Sequence, residues 1–468
     1  MFFTLYIKNN ALFFNVVQRK FTEFLQNWLT SGNRKPLVIR GARQVGKTWL
    51  VRELASRTKR TLLEINFERE PKLRQLFSAR DPERIFDDLC IAKGITCNPE
   101  ESLLFLDEIQ AAPEALAGLR WFAEEMEQLP VIAAGSLLEF ALADFEHSVP
   151  VGRISYAYVE PLSFEEYLLA HDCTALLDRL REWQPNEKIS SAVHEKATEW
   201  FDRFAMVGGM PDMVQHDLAN EDGASIRTLQ RDLLQAYRDD FTKYSGHLSG
   251  MVLEQVLLHI INSLGNKFVY NRVPGNLKAQ HVKQGLKLMA MAHLCQLIPH
   301  SAANGIPLAS EANPRIQKVG LLDIGLAHGL WNTPAARKFP QWNDIPPTIR
   351  GGLAEQLASQ QLRLACGEAT YLGQVHHWRR EGGRVGEIDY LAEIEGRIIP
   401  VEVKGGSAGS MKSLQIFMQE KGLDLAVRLS RNTPSLEFIN VHTTQGKQAK
   451  YDLLNLPLYL TWRLRDLV

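Results

Sequence analysis

One octapeptide constrains this chain more than any other stretch: Gly41-Ala42-Arg43-Gln44-Val45-Gly46-Lys47-Thr48. It fits the P-loop pattern G-x-x-x-x-G-K-[ST] at every fixed position. Before it, Pro36 to Arg40 reads as a buried strand, and after it Trp49 to Ala55 reads as the first turns of a helix. The glycines let the backbone wrap a polyphosphate with its N–H groups pointing inward. The helix N-terminus adds partial positive charge. The spacing predicts an ATP cradle formed by Gly41, Ala42, Arg43, Gln44, Val45, Gly46, Lys47 and Thr48. Lys47 is expected to reach the β- and γ-phosphates, and the Thr48 hydroxyl to bind Mg²⁺.

A chain of 468 residues, 45% hydrophobic and 23% charged, is ordinary for a globular protein. It is long enough for roughly two to four domains. The formal net charge of -1 gives no global positive field that would announce nucleic acid, although local basic surface is compatible with it. The cysteines Cys90, Cys97, Cys173, Cys295 and Cys366 are odd in number and form no C-x-x-C pair. That argues for a reducing, cytoplasmic setting and against a zinc site. The apolar N-terminus is broken at Lys8, Asn9 and Asn10 and ends at Gln18-Arg19-Lys20. It lacks the order of a signal peptide, and no run is long enough to span a membrane. Its alternative reading is a partner-binding or membrane-touching segment.

The pattern along the chain predicts an α/β protein in four parts. Residues 1–30 are an N-terminal segment with a lead-in helix, and 31–175 a P-loop domain with a parallel sheet. There, apolar runs at Thr61 to Phe67, Ser102 to Leu106 and Pro130 to Ala134 alternate with helical patterns. Residues 176–310 read as a helical or winged-helix-like module, with helices at Leu229 to Tyr244, Met251 to Leu264 and from Val282. Packing is favoured there over DNA binding. Residues 311–468 are mixed: a helix at Gly351 to Ala365 precedes strands at Val375 to Arg379, Glu387 to Ala392, Arg397 to Val403 and Leu425 to Leu429.

The rest of the nucleotide site follows from the strand ends. Leu103 to Glu108 is an apolar strand ending in two acids. Strand geometry puts them beside the P-loop. Asp107 is expected to hold Mg²⁺, and Glu108 to orient and deprotonate the attacking water. Ser136, past the next strand, suits a γ-phosphate or water contact, or a simple helix N-cap. Arg153 suits transition-state charge neutralisation in cis or across a subunit interface, or an ordinary surface arginine. No Asn-Lys-x-Asp element of the guanine-reading kind is present, which favours ATP.

A second constellation is Glu355, Asp389, Glu402 and Lys404. On a strand, Glu402 and Lys404 share a face. Asp389 on a neighbouring antiparallel strand and Glu355 on the preceding helix would join them. Carboxylates in this grouping bind Mg²⁺ or Mn²⁺, here Asp389 and Glu402 above all, and a lysine beside them activates water for phosphodiester cleavage. Spacing alone suits a solvated strand face with an ordinary Glu/Lys pair equally well.

Together these residues resemble a large prokaryotic family of AAA-type, STAND-like ATPases. The matching segments are Gly41 to Thr48, Leu106 to Gln110, Gly135-Ser136, Gly152-Arg153 with Pro161 to Tyr167, Gly208 to Pro211 and Tyr237 to Tyr244. The C-terminal part is similar to that family's partner domain, formerly one of unknown function, with a restriction-endonuclease-like fold of the PD-(D/E)XK type. Glu355, Asp389, Glu402 and Lys404 match its motif, and Lys318 to Leu326 its D-x-G element. The resemblance implies an ATPase whose nucleotide cycle switches a nuclease-like, DNA-binding domain. The rival is a nucleotide-dependent docking module for DNA or protein without nuclease chemistry. A homo-oligomer or a protein partner fits either.

Overall fold

The computed structural model of the chain describes residues 19–140, 152–244, 248–331, 342–380, 386–405 and 411–468. The partner-binding or membrane-touching reading of the first twenty residues falls almost wholly outside them. Within the described residues, no helix is long and apolar enough to cross a membrane.

The N-terminal sheet has five parallel strands: β1 (Leu37–Arg40), β2 (Thr61–Asn66), β3 (Ser102–Asp107), β4 (Val131–Ala134) and β5 (Ser155–Tyr158). Their order is β2-β3-β4-β1-β5. β3 and β4 are buried along their whole length, because helices cover both faces of the sheet. One hydrophobic cluster, with Val38, Ile65, Leu104 and Ala133, fills one face. The other face belongs to a cluster that continues without a break from Phe21 to Leu464. Because β4 lies between β1 and β3, the ends of all three strands meet at one edge. This is where doubly wound sheets bind ligands.

A helical region follows, with Ser191–Val207, Pro211–Leu218, Gly223–Tyr244, Gly250–Asn262 and Ala279–Met291. Between the first two of these helices the backbone at Gly209 lies against Leu162. Leu162 N donates to Gly209 O at 2.7 Å, and a Cβ on Gly209 would meet Leu162 O at 2.2 Å.

The second sheet has eight strands in the order β12-β13-β11-β10-β9-β8-β6-β7. They are β6 (Cys295–Ser301), β7 (Ala312–Leu321), β8 (Val375–Arg379), β9 (Glu387–Ile394), β10 (Arg397–Val403), β11 (Leu425–Ser430), β12 (Ser435–His442) and β13 (Gln448–Pro457). The sheet is mixed: β10–β11, β11–β13 and β6–β8 are parallel, and the other neighbours antiparallel. It begins at Cys295, ahead of the boundary expected at residue 311. The hairpin that a winged helix would leave free as its wing is built into this sheet, through the pairing of β6 with β8. The helix Pro347–Cys366 lies against it.

Asp323 ties these parts together. Fully buried, it accepts from Gly209 N at 2.7 Å, Gly325 N at 2.8 Å and Gln360 Nε2 at 2.8 Å. Asp323→Ala would leave these donors buried without a partner. At about 1–3 kcal/mol for each unmet buried group, we expect a loss of roughly 3 kcal/mol or more, and a smaller loss for Asp323→Asn, measured by urea denaturation.

Candidate functional site

The P-loop leaves β1 and enters the helix Lys47–Thr58 through two glycines with positive φ. Gly41 has φ 137°, and a Cβ there would lie 2.3 Å from Val159 O. Gly46, at φ 97°, is the residue just before the helix. Only glycine accepts these conformations without strain, and they turn successive N–H groups inward.

Lys47 is 8% exposed. Its Nζ donates to the loop's own carbonyls, Gly41 O at 2.9 Å and Ala42 O at 2.8 Å. Burial lowers its pKa to about 8, with Arg43 acting the same way and Glu108 and Asp107 opposing. The ammonium is therefore held by neutral carbonyls in a desolvated place, with the acids Glu108 and Asp107 nearby.

Thr48 Oγ1 donates to Asp107 Oδ2 at 3.3 Å. These two oxygens at the sheet edge fit a hard, oxygen-liganded cation such as Mg²⁺. Asn66, paired with Asp107 across β2 and β3, donates to the same carboxylate oxygen at 3.1 Å. Burial, with Glu108 next to it, raises the pKa of Asp107. Glu108 has left-handed backbone, φ 52°, and its carboxylate accepts from Gln110 Nε2 at 2.6 Å. Gln110 in turn lies against Gly135, whose Cβ would fall 2.1 Å from Gln110 Oε1. Gln110 thus connects Glu108 to the turn that carries Ser136, a buried residue just past β4.

Arg153 is not brought to this edge. β5 starts pairing at Ser155 opposite Leu37, the first residue of β1, so Arg153 lies at the far end of the sheet. Roughly 13 Å of strand separates that end from the P-loop. Its side chain is 56% exposed and pairs with Glu124 at 2.8 Å. This placement leaves only a contact across a subunit interface for the expected γ-phosphate role.

Two arginines attach the P-loop to its surroundings. Buried Arg19 reaches Val45 O at 3.3 Å, Glu160 O at 2.6 Å and Glu166 Oε1 at 3.1 Å. Burial pushes Glu166 up, but Arg19 and the N–H groups of Ser163 and Lys20 outweigh it and hold the carboxyl below its ordinary value. Arg43 contacts both oxygens of Asp240 at 2.8 and 3.0 Å, and Tyr237 OH donates to Arg43 O at 2.9 Å. The helix Gly223–Tyr244 is therefore bonded directly to the loop.

In the C-terminal sheet, Val401 faces Tyr390 across β10 and β9, which puts Glu402 beside Asp389. Asp389 Oδ2 accepts from Val403 N at 2.8 Å, and Lys404 Nζ meets Glu402 Oε1 at 2.5 Å. Burial and then Asp389 push Glu402 up to about 7. Glu355 points into the same region, with Tyr390 OH donating to its backbone carbonyl at 3.0 Å.

Sequence reasoning missed the residue among these acids. Lys318 Nζ lies 3.0 Å from Glu355, 2.9 Å from Glu387 and 3.5 Å from Asp389. Burial alone would lower this ammonium, yet Glu355, Asp389, Tyr390 and Glu387 hold it well above the usual lysine value. Burial also lifts Glu355 to about 8 against the pull of Lys318, with Asp389 and Glu387 adding to the rise. As arranged, these acids are spaced around the Lys318 ammonium. Among the described residues, no group of three or more His, Cys, Asp or Glu is placed to hold a metal.

The Lys47 environment has a pH consequence. Phosphate binds the ammonium form and raises its pKa, so affinity is fully present below about 8 and falls as pH rises above it. We expect up to roughly tenfold per pH unit in titrations of a fluorescent ATP analogue, and no measurable binding at any pH in Lys47→Ala.

The comparisons with known proteins fall on three segments of the chain. The family described as "AAA domain" matches residues 33–168. Two families described as domains of unknown function follow, DUF8612 over 198–337 and DUF4143 over 350–459. No curated protein matches the chain. Among solved structures it is similar to the Orc1 protein of Aeropyrum pernix in complex with DNA, at 14% identity, over 68% of this chain and 91% of that one. The TM-score is 0.26, a likeness too loose to carry over any property. With the P-loop, the acid pair of β3 and the parallel sheet in place, residues 33–168 are an AAA-type P-loop domain.

Proposed function

We propose that the chain is a Mg²⁺-dependent ATPase that uses its nucleotide cycle as a conformational switch. The observation that carries this reading is the double attachment of the P-loop. Lys47 sits buried against the loop's own carbonyls, and Arg43 of the same loop is bonded to Asp240 of the helix Gly223–Tyr244. A polyphosphate in the cradle attracts both cations, so binding alters the hold of the loop on that helix. In this reading Thr48 and Asp107 hold Mg²⁺, Glu108 is the general base with Gln110 orienting it, and Ser136 senses the γ-phosphate. Arg153 would act in trans, in a homo-oligomer.

The C-terminal sheet is proposed as the responding element, a regulatory or docking platform for DNA or a protein. The nuclease reading rests on Asp389, Glu402 and Lys404 sharing one place. The lysine-filled neighbourhood of Asp389 favours the platform.

Steady-state ATP hydrolysis by the purified chain tests the ATPase reading. Lys47→Ala should abolish nucleotide binding and turnover. Glu108→Gln should keep binding and slow turnover by about 10²–10⁴-fold, the usual worth of a general base. Full turnover in Lys47→Ala would sink the assignment. For the switch, ATP should change amide hydrogen exchange across residues 223–244 in the native chain and leave it unchanged in Lys47→Ala. Running the assay with and without duplex DNA, in Mg²⁺ and in Mn²⁺, separates the two C-terminal readings. Cleavage that disappears in Asp389→Ala would restore the nuclease; binding or stimulation without cleavage supports the platform.

A further inference from the structure

An ammonium has three N–H groups to place. At Lys318 three carboxylates stand ready for them: Glu387 at 2.9 Å, Glu355 at 3.0 Å and Asp389 at 3.5 Å. The Tyr390 ring covers another side, 5.6 Å from Nζ to its centroid. The residue is 2% exposed, so this is no surface lysine resting against acids. The backbone of Gly265 closes in on Glu355, and a Cβ there would lie 2.8 Å from Glu355 Oε1.

The ammonium and its partners come from different parts of the chain. Lys318 is on β7, inside the segment 198–337, whereas Glu355, Glu387 and Asp389 belong to the segment 350–459. The larger sheet brings them together by inserting β6 between β7 and β8. Magnesium or manganese would draw carboxylate oxygens in to about 2.1 Å. Here the acids are spaced for an ammonium. A cation already bound in the chain competes with a dissolved one at every concentration, because it is never diluted.

We propose that Lys318 is the built-in cation of this cluster, standing where an oxygen-liganded divalent metal would sit. The Asp389 site then takes up Mg²⁺ or Mn²⁺ only when the Lys318 ammonium is removed. This inference is independent of the nucleotide reading, since it concerns the nucleotide-free chain.

The test is Mn²⁺ uptake by the full-length, nucleotide-free protein, followed by calorimetry and by the electron paramagnetic resonance of free Mn²⁺. The native chain and Asp389→Asn should take up the same number of ions. Lys318→Met should take up one more ion per chain, and Lys318→Met combined with Asp389→Asn should lose it. Mn²⁺ should also raise the melting temperature of Lys318→Met and not that of the native chain. An ion lost from the native chain on Asp389→Asn, or none gained in a folded Lys318→Met, overturns the proposal. Should Lys318→Met fail to fold, the native chain against Asp389→Asn decides alone: an unchanged count sustains the proposal, and an Asp389-dependent ion ends it.

Discussion

A charge removed from water must find its opposite, and two buried lysines meet that requirement in contrary ways. Lys47 is held by two neutral carbonyls, and burial brings its pKa down to about 8. Lys318 is surrounded by three carboxylates, which carry its pKa well above the ordinary value in spite of burial. The first rests on neutral dipoles and the second among acids. A phosphate would complete the first. The other has its counterions within the chain, and a burial that would be prohibitive for a lone ammonium is stable there.

The same logic explains how the P-loop is joined to the rest of the molecule. Its glycines leave the loop without side chains that could pack, so its position depends on neighbours that bond to its backbone. Arg19 takes Val45 O and Tyr237 takes Arg43 O, while Arg43 itself reaches to Asp240. Farther on, Leu162 bonds to Gly209, and Gly209 to Asp323 beneath the larger sheet. Arg19 also holds Glu166, which accepts from the N–H of Ser163, the residue after Leu162, so the contacts run from the loop to the C-terminal sheet through one hydrophobic cluster. Contiguity of this kind is a structural precondition for coupling; a coupling energy is a separate quantity.

Much of this was legible in residue order. The P-loop and the acid pair of β3 are contiguous motifs whose geometry is set by local backbone. Strands such as Val375–Arg379 and Arg397–Val403 have apolar patterns strong enough to read directly. β12 was not read, because it is an edge strand with an exposed, weakly alternating pattern; Phe438 on it is 68% exposed. β6 and β7 fall on either side of the boundary that the sequence pattern sets at residue 311, since strand pairing leaves no mark in sequence order. The roles of Gln110 and Asn66 leave no local mark for a related reason. Each acts on an acid, Glu108 or Asp107, that it meets only once the turn and the neighbouring strand are in place.

The sequence by itself determined the nucleotide chemistry: a phosphate cradle needs glycine, lysine and threonine at fixed spacing along one loop, so its signal is local. Tertiary structure decided the rest. It took Arg153 to the far end of the sheet, because β5 runs parallel to β1 and starts beside its first residue. It also put Lys318 among acids that lie 37 to 71 positions further along the chain. Charge pairing in a buried site depends on which strands become neighbours, and that is settled by hydrophobic packing of the whole sheet.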